Sequence, residues 1–298
     1  MDTRAAAQGR ADALSAFKTT FRQLAPYKHR YEVFRDFVTM AACSLHNGLH
    51  QGSDSETWPA PAQKREQEYL SIAKGYKPED LREFGTLLGA LIDALDEEPR
   101  DVLGPLYMEL EIASKDQGQY FTPPELSEMM ARMTVAPDLV SKLEHQPFIT
   151  AGEPACGAGG MILALVKVMT EAGHDPARKL WVQAIDVERM AALMCYIQLS
   201  LWNVPAEVIV GNTLSWEIRE VWYTPAHHLH LWKYRLKRQP ESLDVTAQPP
   251  REGQAAPEPD PAPDTPDPAS TEYSPQSVRD VETPPAAPVK PSQLGFDF

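Results

Sequence analysis

The sequence predicts an α/β fold: a short parallel sheet with an all-helical region ahead of it and a disordered tail behind it. Three observations carry that reading. Apolar strands alternate with apolar helices between residues 147 and 212, whereas before residue 115 apolar residues recur only at helical spacing. After residue 238, prolines and acids replace any periodic pattern. The predicted boundaries are therefore 1–114, 115–238 and 239–298.

In the first region Leu14, Phe17, Phe21 and Leu24 share one helical face, and Phe34, Phe37, Val38 and Ala41 repeat the spacing after Pro26. "HNGLHQGSDSETWPAP" has loop chemistry. Further helices are expected over 61–75, over 77–98 with Pro78 near the start, and over 100–114. At Thr122-Pro123-Pro124 a polar and aromatic loop opens a helix with Glu125 in its first turn. Strand "PFITA" then leads through a glycine turn to a helix over 160–173, strand "KLWVQAID" to a helix over 187–202, and strand "AEVIVGN" follows. Such alternation implies crossover connections and parallel strands. "EIREVWYTPA" is a further candidate strand.

The net charge of -14 is unevenly spread. Residues 239–298 carry 11 acids, 3 bases and 14 of the 28 prolines, which leaves only -6 on the remainder. Such a tail cannot bury enough surface to offset its ordering entropy. The rest is mildly acidic, so contact with nucleic acid would need a local basic patch. Lys18, Arg22, Lys28, His29, Arg30 and Arg35 make the first helices locally basic, and a solvated helix face is preferred there over a phosphate-binding one. Cys43, Cys156 and Cys195 are odd in number at unrelated spacing, which argues against a disulfide framework or a zinc site. The start lacks an apolar signal core and no run of 18 apolar residues occurs, so a cytoplasmic location with no membrane association is expected.

"EPACGAGG" at 153–160 follows the first strand directly. Ligands of parallel sheets bind beyond the carboxyl ends of the strands, and glycine lets backbone approach them. The turn lacks the Gly-x-x-x-x-Gly-Lys pattern of a nucleotide triphosphate loop. Asp186 ends the next strand, where a carboxylate can accept both hydroxyls of a ribose. A glycine turn with such an acid suits a dinucleotide or S-adenosylmethionine. Glu153 favours the second, because it would repel a pyrophosphate but pair with an ammonium group.

The ordered set "GQYFTP" (118–123), "EPACGAGG", "AIDVERMAALMCYIQLSLWNV" and "IVGNTL" (209–214) resembles the adenine-specific DNA methyltransferases, above all the modification subunits of type I restriction systems. The resemblance spans roughly residues 1–226. It implies a Rossmann-like class I S-adenosylmethionine-dependent methyltransferase sheet, shortened here, and S-adenosylmethionine as cofactor. By the same resemblance, Tyr120, Phe121 and Thr122, with Pro123 behind them, would cover the methionine end of the cofactor. Glu153, Ala155, Gly157 and Gly159 would hold its amino and carboxylate groups, and Asp186 its ribose. Asn212 stands where the family usually has Asp and offers a carbonyl acceptor to the adenine amino group. DNA and a specificity or second methyltransferase subunit are the implied partners.

The family's target-base motif is Asn or Asp, then Pro, Pro and an aromatic residue. It stacks a flipped adenine and accepts from its exocyclic amine. At the matching place this chain reads Thr224-Pro225-Ala226-His227, with Thr224, Pro225 and His227 as the candidate catalytic residues. Three readings follow. The chain is an adenine-N6 methyltransferase working with a partner, a cofactor-binding relative that regulates or assembles without catalysis, or a bare fold. His227, His228 and His230 read as surface histidines rather than metal ligands, and no metal is expected. Cys156 reads as a small packing residue, and the aromatic and Met positions of 190–202 as core. Finally, Gln293, Leu294, Phe296 and Phe298 in the terminal "QLGFDF" resemble the short peptides by which bacterial replication proteins dock on the sliding clamp.

Overall fold

The computed structural model describes residues 3–96, 98–110, 124–134, 142–143 and 145–238. The expected tail over 239–298 lies outside them, as do Tyr120, Phe121, Thr122 and Pro123 and the terminal Gln293, Leu294, Phe296 and Phe298.

Five helices come first: α1 (Thr3–Gln23), α2 (Arg30–Asn47), α3 (Ala60–Ala73), α4 (Pro78–Leu95) and α5 (Leu103–Glu109). The anticipated loop over 46–61 contains two 3-10 turns. The aromatic spacing read from the sequence forms the core of this layer. Phe17 meets Phe37 edge-on at 5.5 Å, Phe21 meets Phe34 at 5.9 Å, and Phe37 stacks on Phe84 of α4 at 6.4 Å.

Of the basic residues in this stretch, Arg22 and His29 are exposed, whereas others are engaged within the layer. Arg30 donates to the carbonyls of Phe21, Leu24 and Ala25 at 2.8, 2.7 and 2.5 Å. It thereby satisfies orphan acceptors where α1 ends. Lys18 pairs with Glu109, Lys28 with Glu32 and Arg35 with Asp36. These cations organise the helical layer itself.

Next come α6 (Pro124–Thr134), β1 (Ile149–Glu153), α7 (Gly160–Glu171), α8 (Pro176–Lys179), β2 (Leu180–Asp186), α9 (Arg189–Leu201) and β3 (Ala206–Asn212). The described chain closes with β4 (Glu217–Tyr223), α10 (Pro225–Leu229) and α11 (Trp232–Lys237). The sheet order is β1-β2-β3-β4. β1, β2 and β3 are parallel, as the alternation requires, and β4 is antiparallel to β3. This is a shortened Rossmann-like α/β sheet.

α9 explains how the sheet and the helical layer share one core. Every residue from Met190 to Leu199 is buried. A helix apolar all round must be covered all round. β2 and β3 lie against it, and so do α2, α4 and α5. Arg189 at its start pairs with Glu220 of β4 at 2.6 Å and with Glu68 of α3 at 3.0 Å.

A second tie is buried. The Arg65 guanidinium lies 3.9 Å from the Trp222 ring and donates to the Val221 carbonyl at 2.6 Å and to His46 Nε2 at 2.5 Å. His46 must therefore be neutral, with its Nδ1 proton donated to Asn47 Oδ1 at 3.0 Å. Burial and the adjacent Arg65 push its pKa down to about 4.

Just beyond the end of β4, burial likewise pushes His227 to about 4, and its Nδ1 accepts from Trp181 Nε1 at 3.2 Å. In the unfolded chain both imidazoles bind a proton near pH 6.5, whereas in the fold both stay neutral until about pH 4. Unfolding therefore takes up protons across this window, and stability falls as pH falls from 6.5 to 4. In urea melts at pH 7 and pH 5, His227→Phe should show a smaller acid-induced loss than the unaltered chain.

Candidate functional site

β1, β2 and β3 all run the same way, so Glu153, Asp186 and Asn212 mark one end of the sheet. The glycine turn begins there. Gly157 at φ +53° and Gly159 at φ +95° take the left-handed conformation that favours glycine. At Gly159 space also demands it, because a Cβ would meet Cys195 Sγ at 3.0 Å. Gly159 caps α7, whose N-terminus opens on the turn.

Several bonds hold this turn against the strand ends. Gly157 N donates to Asp186 Oδ2 at 2.8 Å, and Cys156 N donates to the Ile185 carbonyl at 2.8 Å. Glu188 N donates to Asp186 Oδ1 at 2.8 Å. Each Asp186 oxygen thus accepts one backbone N–H and retains capacity for another donor. Glu153 is half-buried. Burial raises its pKa, the weak hydrogen bond from Ala155 N at 3.4 Å opposes the rise, and the Asp186 charge adds to it. Cys156 is buried, and its thiol is pushed up by contact with Cys195 and by burial. That is the environment of a packing residue rather than a nucleophile.

The structure therefore brings Glu153, Ala155, Gly157, Gly159 and Asp186 together, but some roles differ from those expected. Gly157 and Gly159 give their N–H groups to Asp186 Oδ2 and to the Cys156 carbonyl, so they shape the turn rather than present donors. Asn212 Oδ1 accepts from Leu214 N at 2.9 Å and Ser215 N at 3.4 Å. The Asn212 oxygen was expected to face an adenine amino group. It caps its own turn instead, leaving the amide nitrogen as the group to offer a ligand. Thr213, which the sequence reading passed over, donates to the Pro154 carbonyl at 2.7 Å and draws the β3–β4 turn across to the glycine turn.

Residues 100–230 match the family model of the N-6 DNA methylases. A methylase subunit of the type I restriction enzyme MpnII of Mycoplasma pneumoniae is 24% identical over 154 residues, covering 47% of this chain and 26% of that protein. The chain thus spans about a quarter of the length of the curated relative it matches. Among solved structures, a Listeria monocytogenes protein assigned to the class I S-adenosylmethionine-dependent methyltransferases overlaps 67% of this chain and 52% of its own, with 13% identity and a TM-score of 0.33. At that score the likeness adds nothing to the strand order described above.

Against the family motif, the candidate catalytic residues are misplaced. β4 runs antiparallel to β3, with Glu217 opposite Asn212 and Tyr223 opposite Glu207. Thr224, Pro225 and His227 follow its far end. The seven residues of β4 separate them from the turn that joins β3 to β4. Their surroundings are those of packing. Thr224 is fully buried, donating through Oγ1 to the Val204 carbonyl at 2.7 Å and accepting from Ala206 N at 2.9 Å. His227 is buried as well, rather than one of three surface histidines.

The signal that exposes this was in the sequence. Residues 213–216 are the whole connection between β3 and β4. A link that short makes a hairpin, because parallel neighbours need a dozen residues or more. Thr224→Val should accordingly lower stability by about 1–3 kcal/mol in denaturant melts, since it removes two buried hydrogen bonds. It should leave ligand binding at the glycine turn unchanged.

Among the described residues no cluster of His, Cys, Asp and Glu could hold a metal ion, and no helix is long and apolar enough to cross a membrane.

Proposed function

We propose that this chain binds S-adenosylmethionine at the glycine turn and serves adenine-N6 methylation of DNA as a modification-type subunit. The observation that carries the reading is the clasp of Asp186 on Gly157 beside Glu153. Two carboxyl groups on adjacent strand ends, with the Asp186 charge helping to raise the Glu153 pKa, suit a cationic ligand bearing hydroxyls and not a pyrophosphate. Glu153 would pair with the ammonium group, Asp186 would accept from the ribose hydroxyls, and the Asn212 amide would donate to a ring nitrogen of the adenine. When bound, the cofactor supplies an electrophilic methyl on a sulfonium, so the chain's own work is to orient it and exclude water. DNA and a specificity or second methyltransferase subunit complete the assembly under this reading.

A second reading is favoured by the direction of β4. Among the described residues no target-base motif lies at the cofactor end, which fits a cofactor-binding subunit that regulates or assembles. Calorimetric titration of the full chain with S-adenosylmethionine tests what the two share, and an absence of binding removes both. Base analysis of DNA from expressing cells separates them. Methyladenine above background supports the enzyme; its absence, with partner subunits present, supports the assembly role.

A further inference from the structure

We propose that Trp216 is the surface on which an unpaired DNA base stacks at the glycine-turn end of the sheet. The inference rests on the reading above and supplies the aromatic face that His227, buried against Trp181, does not provide.

Trp216 sits in the turn joining β3 to β4, at the same end as Glu153 and Asp186. The turn is built to hold its shape. A bulge falls between Val210 and Gly211, and a Cβ on Gly211 would come within 2.3 Å of the Glu217 carbonyl oxygen, so only glycine lets the strands close there. Asn212 Oδ1 caps the turn through Leu214 N and Ser215 N, and Thr213 fastens it to the Pro154 carbonyl. The indole is thus carried on a pinned hairpin at the rim of the glycine turn.

Neither backbone nor packing explains a tryptophan at this position. Its φ is +57°, a left-handed conformation that glycine or asparagine takes readily and a bulky side chain does not. Its side chain is 73% exposed, and among the described residues it has no hydrogen-bond or ring partner. Trp222 and Trp232, by contrast, are fully buried and partnered. Val187, Leu214 and Ile218 are also exposed, giving that end of the sheet an apolar rim. Arg219, whose guanidinium donates to the Val187 carbonyl, is an exposed cation on the same hairpin.

A strained, uncovered indole is what a planar ligand needs. Every base has a π-face, so stacking recognises nucleotides without hydrogen-bond readout, and a base outside a duplex exposes that face.

The test uses a single-stranded oligodeoxynucleotide carrying one 2-aminopurine, whose fluorescence is quenched by stacking. The full chain and Trp216→Phe should quench it. Trp216→Ala should bind it about ten-fold more weakly, while affinity for S-adenosylmethionine stays within about two-fold. Three results overturn the proposal: no quenching by the unaltered chain, equal binding by Trp216→Ala, or a loss of S-adenosylmethionine affinity in that variant, which would assign the indole to the cofactor. Tighter binding of the same sequence in RNA would overturn the assignment to DNA. If the unaltered chain fails to bind S-adenosylmethionine but quenches the probe, the cofactor reading falls and the stacking surface stands. Trp216→Ala should melt no lower than the unaltered chain, which separates loss of stacking from loss of folding.

Discussion

Asp186→Ala should weaken S-adenosylmethionine binding by two to three orders of magnitude, read by calorimetric titration. The carboxylate does two things that alanine cannot. It holds the turn by accepting from Gly157 N at 2.8 Å and holds the entry to α9 by accepting from Glu188 N at 2.8 Å. Under the proposed function it also accepts from two ribose hydroxyls. Hydrogen bonds to a charged acceptor contribute about 1.5–3 kcal/mol each, so losing both ribose bonds costs about 3–6 kcal/mol before any loosening of the turn. Asp186→Asn separates the two roles. Its remaining oxygen can still accept from Gly157 N, so the turn should persist and affinity should fall by only about ten-fold. An Asp186→Ala chain that folds and binds S-adenosylmethionine unchanged would show that the ligand lies elsewhere.

How much of this site could be read beforehand depended on whether a feature was local. The turn at 153–160 announces itself because left-handed glycines and a strand-end acid are written contiguously, and the spacing of Phe17, Phe21, Phe34 and Phe37 displays one buried face. The direction of β4 was equally local, fixed by a connection of four residues, although "EIREVWYTPA" by its own pattern reads only as a further strand with no direction. Local geometry is the stronger constraint, since no family likeness lengthens a hairpin. Other features were not legible. That Arg30 caps α1, or that Arg65 reaches Val221, depends on which helix lies beside which strand, and a basic residue looks the same in either setting. Trp216 shows the intermediate case: its type and place in the chain were plain, but its exposure and left-handed backbone emerge only once the hairpin closes.

Gln198→Leu should be the most destabilising single change in the described structure, by about 3–6 kcal/mol. Gln198 is the lone side-chain amide in an apolar helix and is fully buried. Its Oε1 accepts from Val102 N at 2.7 Å and Leu103 N at 3.1 Å, satisfying donors at the start of α5. Its Nε2 donates to Asp101 Oδ1 at 2.9 Å and to the Ala158 carbonyl at 2.7 Å. All four bonding positions of the amide are therefore used, and leucine of similar size replaces none of them. Two buried N–H groups, the Ala158 carbonyl and a buried carboxyl would each lose a partner. Asp101 already has its pKa raised by burial, with the Gln198 bond opposing that rise, so the substitution should push it higher still. A loss of this size is a large share of the stability of an ordinary domain, about 5–15 kcal/mol. Gln198→Glu makes the cause testable. A carboxylate there would face Asp101 and the Ala158 carbonyl without a proton to give, so its folded pKa should lie above its unfolded one. The deficit of the Glu variant relative to the unaltered chain should then be largest at neutral pH and shrink as pH falls and the side chain regains a donor. A deficit independent of pH would mean that shape rather than hydrogen bonding is what Gln198 supplies. Since Ala158 belongs to the glycine turn, the leucine variant should also bind S-adenosylmethionine more weakly at temperatures well below its melt, tying the packing of α9 to the site it supports.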